Sequence, residues 1–156
     1  KITEQNNSLI MLIQMLANTG INIVPLLEML GNTITVISDT VTQMYQYSDN
    51  NNPDNKLKGI VYAPNLETVE SRSIDDNSGM TTIIMPKVKT IKSQGFWASY
   101  GLKTVFIPNA CTSLATNAFS ICGNLTNIYI DNVEGTFGDI AADSSLPNLK
   151  VTYLKK

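Results

Sequence analysis

The N-terminal third of the chain carries a helical pattern of apolar residues. Between Ile2 and Met44, apolar residues recur at alternating steps of three and four, and eleven of the thirteen positions in this register are apolar. Such alternation is typical of the seam of a left-handed coiled coil. We predict that oligomerisation uses the seam residues Leu9, Ile13, Leu16, Ile23, Leu27, Leu30, Ile34, Ile37, Val41 and Met44.

Gly20 and Pro25 interrupt this helical pattern. An internal proline removes a backbone hydrogen bond, so we expect two helices, over residues 3–18 and 24–47, with Pro25 in the first turn of the second. Isoleucine in both seam classes favours trimers or tetramers. Two alternatives remain open: the helices form a hairpin on their own C-terminal domain, or residues 33–47, which are rich in Thr and β-branched side chains, form strand.

A different pattern, an internal repeat, occupies residues 57–154. Similar strings that begin with an apolar residue start at Leu57, Met80, Leu102 and Leu125, and a partial fifth string starts at Leu149. The starts lie 22 to 24 residues apart, which is within the period of leucine-rich repeats. Each unit of such a repeat contributes one strand and a return segment, and only stacked units bury a continuous core.

Two phrases connect this repeat to a known family. They are Leu102-Lys-Thr-Val-Phe-Ile-Pro108 and Ala118-Phe-Ser-Ile-Cys-Gly-Asn-Leu125. They resemble the bacterial surface leucine-rich repeats of the BspA-like type, whose pattern runs L-xx-I-x-I-P and then A-F-xx-C-xx-L. The resemblance implies a repeat solenoid that serves extracellular attachment or recognition, and similar repeats occur in phage structural proteins. The first copy lacks the A-F-xx-C element, and the fourth has Asp131 in place of proline.

We therefore predict an α+β chain with three parts. Residues 1–47 form a helical coiled-coil stalk, residues 48–56 form a linker rich in Asn and Asp, and residues 57–156 form a leucine-rich-repeat domain of four to five repeats. Residues 9–30 are apolar, but Gln14, Asn18 and Glu28 interrupt them, so we expect no membrane span.

Composition and charge narrow the range of functions. The 156 residues include no His and a single Arg, Arg72, and the net charge is −2. A nucleic-acid binder needs a clustered basic face, which this chain lacks, and the commonest general base and zinc ligand is absent. The charge is uneven, because residues 1–55 carry −4 and residues 56–156 carry +2.

Several side chains are candidates for catalysis or metal binding. Cys122 occupies the buried cysteine position that the family resemblance implies, and a disulfide with Cys111 is a less favoured alternative. Without His as a base, a cysteine nucleophile is disfavoured. Asp49–Asp54 lacks the Gly and Glu of a calcium loop, so we interpret it as linker. Open-loop or solvated positions are expected for Asp75, Asp76, Lys87, Lys89 and Lys92. We predict no catalytic, metal or cofactor site.

One set of residues indicates a contact surface. Side chains alternate between the two faces of a strand, so the fifth residue of each string is expected to face outward. These residues are Val61, Ile84, Phe106, Tyr129 and Tyr153. An outward apolar column is typical of an interface, although residues of the same chain are an alternative cover. Trp97 and Tyr100 are secondary candidates for contact.

These patterns lead to two hypotheses about function. The first is a non-enzymatic structural and attachment protein, a homo-oligomer with a trimer favoured, in which a stalk carries a repeat head; a phage fibre on the virion surface fits that layout. Its partners would be itself and other virion or cell-surface proteins. The alternative is a monomeric bacterial adhesion module that is secreted or anchored at the cell surface.

Overall fold

The computed structural model describes residues 2–31, 33–44 and 57–156, and over this part the chain forms a stacked series of parallel strands preceded by two helices. Helix α1 spans Ile2–Ala17 and helix α2 spans Val24–Met29. The strands are β1 Ile34–Val36, β2 Gln43–Met44, β3 Gly59–Tyr62, β4 Thr68–Val69, β5 Met80–Ile84, β6 Thr90–Ile91, β7 Thr104–Ile107, β8 Ser113–Leu114, β9 Asn127–Val133 and β10 Lys150–Lys155. A 3-10 turn covers Ile140–Ala142.

The strands stack into a solenoid of about five turns. One side carries two three-stranded parallel ladders, β1-β3-β5 and β7-β9-β10. They adjoin where the Lys103 amide donates to the Thr81 carbonyl at 2.9 Å, so six strands lie side by side in chain order. The four short strands β2, β4, β6 and β8 form a second parallel sheet. The predicted repeat solenoid is present. It includes one additional turn, made of β1 and β2, before the predicted first repeat.

The core runs along the solenoid between the two sheets and the return segments. The inward residues of the strands form one cluster with residues of the return segments, among them Phe96 and Phe119, whose rings stack with centroids 5.1 Å apart. Their neighbours Ala118 and Cys122 are also buried. The A-F-xx-C element of residues 118–122 therefore fills the core of its turn, since its apolar residues meet those of the preceding turn.

The second helix, predicted over residues 24–47, ends at Met29, and the prediction is wrong for the described residues between Met29 and Met44. Gly31 has a φ of +70°, a conformation that other residues rarely adopt, and the helix stops before it. Residues 34–36 then pair in parallel with Ile60, Val61 and Tyr62 of β3. The alternative, strand within residues 33–47, is thus the correct one for residues 34–36. Pairing with the next repeat satisfies the hydrogen-bonding groups of this backbone and buries Ile37.

A coiled-coil stalk is accordingly not seen. Among the predicted seam residues, those buried within the chain itself are Ile13, Ile23, Leu27 and Ile37, while Leu30, Ile34 and Val41 pack against the two core clusters. Only Leu9 and Leu16 expose much of their surface. The side chain of Met44 lies outside the described residues, as do the predicted linker at 48–56 and the interpretation of Asp49–Asp54.

The two classes of seam residue should respond differently to a charge. Ile37→Asp places a carboxylate in the core, so we expect a loss of folding stability of several kcal/mol, about 3 or more. Leu9→Asp lies at a position that is 44% exposed and should leave the melting temperature nearly unchanged. Calorimetry with light scattering checks this prediction. If both variants instead dissociate an oligomer and keep the fold, the seam interpretation is right.

Candidate recognition surface

The outward face of the six-strand side, here called the outer face, is the candidate site. One row of side chains crosses it in register: Val36, Tyr62, Ile84, Phe106, Tyr129 and Thr152. The inward row beside it consists of Val61, Ile83, Val105, Ile128 and Val151. Aromatic and aliphatic side chains in such a row contact their cross-strand neighbours.

The structure corrects the predicted outward column at both ends. Val61 is fully buried in the core, and Tyr153 pairs with Ile130 on the inward side. The first string has one more residue before its proline than the other strings, so counting from Leu57 selects Val61, whereas counting back from Pro64 selects Tyr62. The ladder itself pairs Gly59 with Met80 and Ile60 with Thr82, so the bulged residue is Thr81 of β5. Gly59 has a φ of +65°, and a Cβ there would collide with the Thr33 carbonyl. The extra residue before Pro64 was the signal that sequence reasoning missed.

Helices α1 and α2 cover the N-terminal half of the outer face. Ile13, Ala17, Ile23 and Leu27 form one apolar cluster with Ile60, Tyr62 and Ile84, and α1 also contacts β7. Beneath the helices Ile84 and Phe106 are almost fully buried. Burial also raises the pKa of Tyr62. The cover is therefore a segment of the same chain, as the alternative interpretation of this column allowed.

The C-terminal half of the outer face stays open. Tyr129 pairs in register with Phe106, so it lies on the strand next to β7, and its side chain is half-buried. Asn127 and Thr152 are also half-buried, and Lys150 is exposed. The uncovered part thus offers an aromatic ring, a group that is enriched at protein interfaces, surrounded by amide, hydroxyl and ammonium groups such as those of a polar interface rim.

Helix α1 adds exposed apolar surface to this side of the molecule. Leu9, Leu12, Met15 and Leu16 are each 39% to 55% exposed. Sequence reasoning missed Leu12 and Met15, because the coiled-coil register assigned them to the outer positions of a stalk. Leu12 lies on one side of the helix with Met15 and Leu16, since positions three or four apart are neighbours on a helix surface.

The secondary candidates lie elsewhere. Trp97 and Tyr100 belong to the return segment between β6 and β7, and the Arg72 guanidinium stacks over the Trp97 ring at 3.9 Å from its centroid. Arg72 also pairs with Asp75, with 2.9 Å between Nε and Oδ2. The structure therefore does not add these residues to the open part of the outer face.

The predicted solvated lysines form a ladder of ion pairs and polar contacts instead of a basic patch. Lys89 pairs with Glu67 at 2.7 Å, Lys92 pairs with Glu70 at 2.6 Å, and Lys87 donates to Asn65 at 2.8 Å. Donation from the lysines lowers the pKa of both glutamates. Each pair joins one turn to the next, so these charges align the turns.

Both cysteines are free and buried, so no disulfide joins them. Burial raises the pKa of Cys111 to about 11 and that of Cys122 to about 12. The Cys122 thiol donates to the Phe96 carbonyl at 2.9 Å, which links two adjacent turns. Both groups are protonated thiols at neutral pH and serve packing.

The comparisons with known proteins agree with this geometry. The model of the BspA type leucine rich repeat region matches residues 32–153 in six copies, which is well over half of the chain. This chain therefore belongs to the BspA-type leucine-rich-repeat family. The match begins just before β1, in agreement with the additional turn that β1 and β2 form at the N-terminal end of the solenoid. Searches of curated proteins and of solved structures gave no significant match.

Two further observations concern the part of the chain that the structure describes. No helix among these residues combines the length and the apolar character that a bilayer span requires. No group of three or more Cys, Asp or Glu side chains within residues 2–31, 33–44 and 57–156 could hold a metal ion.

The buried amide of Gln14 offers a test of how α1 packs. The residue is 2% exposed, and within the described part of the chain neither its side-chain nitrogen nor its side-chain oxygen has a hydrogen-bond partner. Leaving such a group unsatisfied costs about 1–3 kcal/mol. We expect Gln14→Met to raise the free energy of unfolding by about that amount in urea titrations. Asn18→Met, at an exposed position beyond α1, is the control; an equal gain there would contradict the assignment.

The cysteines should set an alkaline limit on stability. The native state holds both thiols protonated to about pH 11–12, whereas unfolded cysteines ionise from about pH 9. Unfolding therefore releases protons above pH 9, and stability should fall between pH 9 and 12. In Cys111→Ala/Cys122→Ala, the measured slope of stability against pH should be smaller. An unchanged slope would mean that these thiols are not the cause.

Proposed function

We propose that this chain is a non-enzymatic protein–protein recognition module that binds its partner through the open half of the outer face. The observation that carries the proposal is the row of Phe106, Tyr129 and Thr152, which runs from beneath α1 into solvent. Leucine-rich repeats typically serve protein–protein interaction, and this membership supports the class of function. The half-buried ring of Tyr129 is held by its cross-strand neighbours, so little side-chain freedom remains to be lost on binding.

The bacterial surface or extracellular setting is part of the same proposal. Members of the BspA-type family are typically found at bacterial surfaces or outside the cell. A recognition module that is presented there would act in adhesion. The repeat architecture suits that task, because the register of each strand on the next holds a row of side chains in a fixed geometry.

The phage-fibre hypothesis has lost its structural basis. It needed a helical seam through residues 9–44, whereas that segment is divided among α1, α2, β1 and β2. The residues that would have joined sister helices mostly pack within their own chain. We therefore carry forward the adhesion module, and a trimer or a virion location receives no support from these contacts.

The polar groups of the return segments favour a structural role over an enzymatic one. Asp75 is paired with Arg72, and Asp143 accepts hydrogen bonds from the hydroxyls of Ser120 and Ser145 at 2.6 and 2.7 Å from its two carboxylate oxygens. These hydrogen bonds lower the pKa of Asp143. A carboxylate that is held ionised in this way is poorly suited to act as a general acid.

A binding experiment with matched tyrosines tests the surface. The purified chain is screened against an array of extracellular and cell-surface proteins, and the dissociation constant is measured for each binder. Tyr129→Asp should weaken the interaction by at least about tenfold, because a central aromatic contact contributes about 2 kcal/mol or more. Tyr100→Asp, which changes a 41%-exposed tyrosine on the return segment, should have little effect.

The opposite pattern would place the surface elsewhere. If Tyr100→Asp abolishes binding and Tyr129→Asp does not, the partner binds the return segments instead of the outer face. Circular dichroism of both variants shows whether the solenoid is retained.

A further inference from the structure

Helix α1 rests on the solenoid over a small apolar area. Its inward side contributes Ile13 and Ala17, which are almost fully buried, and Ile10, which is half-buried. Helix α2, by contrast, places Ile23 and Leu27 in the same cluster, and both are fully buried. A segment with few buried apolar contacts opens at a lower free energy than the core of a protein. We therefore expect α1 to be held less firmly than α2.

The two sides of α1 also differ from those of an ordinary amphipathic helix. The inward side carries Gln14, whose buried amide has no hydrogen-bond partner within the described part of the chain. The outward side carries Leu9, Leu12 and Leu16, which are exposed and lie on one side of the helix because they are spaced by three and four. Helices of soluble proteins normally turn their apolar side to the core. Here docking leaves three leucines in water and one buried amide without a partner, so the docked position is only weakly favoured.

The hydrogen bonds of this helix are local. Those described for residues 8–20 lie within α1 and the turn that follows it; for example, the amides of Asn18 and Gly20 donate to the carbonyls of Gln14 and Ala17. The strands, in contrast, are joined to one another by parallel ladders of backbone hydrogen bonds. Residues 8–17 can therefore leave the solenoid without breaking any hydrogen bond that the structure describes between the two.

The connection between the two helices has room to move. Residues 18–22 are exposed throughout, and Gly20 and Ile21 line an open cavity of about 450 Å³ beside β1. Helix α2 then begins at Val24, whose amide donates to the Asn22 side chain at 3.1 Å. An exposed connection that borders open space can change its backbone angles without displacing packed side chains, as hinge residues do.

We propose that α1 is a displaceable cover of the outer face. It detaches at residues 18–22 while α2 and the solenoid stay folded, and it uncovers β7, the strand that it contacts. Phe106 on that strand pairs with Tyr129, so the uncovered surface is continuous with the open half of the outer face. The consequence for recognition rests on the proposed function: a partner that binds at Tyr129 gains Phe106 when α1 leaves, and the docked helix lowers the partner's affinity.

Thiol labelling measures the opening without any partner. Ala17→Cys places a small thiol beneath α1, Asn18→Cys places one at an exposed position, and the native Cys122 reports on the core of the solenoid. Each thiol is followed by mass spectrometry after addition of N-ethylmaleimide. If α1 is open for about 0.1–10% of the time, Ala17→Cys should label about 10- to 1,000-fold more slowly than Asn18→Cys. Cys122 should be slower by at least about another tenfold, since it needs the solenoid itself to open.

Two labelling results would overturn the displaceable cover. Equal rates for Ala17→Cys and the native Cys122 would show that α1 leaves only when the solenoid unfolds. Equal rates for Ala17→Cys and Asn18→Cys would show that α1 is not docked on the solenoid. Circular dichroism shows whether both variants keep the fold.

Second substitutions in the Ala17→Cys chain test which side of the helix holds it. Ile13→Ala removes inward apolar surface and should speed labelling of the introduced thiol by about tenfold or more. Leu12→Ala, the matched change on the outward side, should alter the rate by no more than about twofold. Gln14→Met should slow labelling by about tenfold, because no buried amide is then left without a partner. Equal effects of Ile13→Ala and Leu12→Ala would contradict the assigned docking side.

Binding separates this inference from the proposed function. For a partner whose affinity depends on Tyr129, Ile13→Ala should tighten binding and Gln14→Met should weaken it, each by up to the factor that labelling shows. Binding that depends on Tyr129 but ignores both variants would leave the proposed function intact and disprove the inhibitory role of α1. If no partner depends on Tyr129, the proposed function and the inhibitory role fail together, and the labelling rates still decide whether α1 detaches.

Discussion

The structure depends on one constraint: a single repeat cannot bury its own apolar side. Val105 and Ile107 on one strand are covered only because Ile83 and Met85 lie on one flank and Ile128 and Ile130 on the other. Each strand of the solenoid is therefore stabilised by its neighbours and in turn stabilises them. The same constraint explains the hydrogen bond from Cys122 to Phe96 and the ion pairs between adjacent turns, which align one turn on the next.

The same need to bury apolar surface explains the position of the two helices. A row that includes Tyr62, Ile84 and Phe106 would leave a large apolar strip in water if it were bare. Helices α1 and α2 cover that strip and thereby bury half of their own seam residues. The cover ends at β7, and the row continues as Tyr129 into solvent. The row is buried at Ile84 and Phe106 and accessible at Tyr129. Such a surface is well suited to recognition, since its buried part holds the accessible side chains in place before a partner binds.

Much of this fold was accessible before any coordinates. The period of 22 to 24 residues predicted stacked repeats, because each turn repeats the same local requirement, and the resemblance to the BspA-like family implied the buried position of Cys122. The spacing of Ile84, Phe106 and Tyr129 also predicted three members of the outward row. Local pattern was enough at these positions, since strand alternation and repeat period act over a few residues.

Tertiary structure decided what local spacing left ambiguous. The apolar residues of 24–44 fit a helical seam, yet pairing with β3 drew residues 34–36 into the solenoid. The register of β3 on β5 placed Val61 inward beside Ile83 and Tyr62 outward beside Ile84. The spacing of apolar residues indicates which residues are buried, but it does not indicate which surface they pack against. The sequence by itself thus determined the repeat and its core. Only long-range packing determined that the N-terminal helices would cover the outer face of their own chain, because that choice depends on a surface that exists only once the strands have stacked.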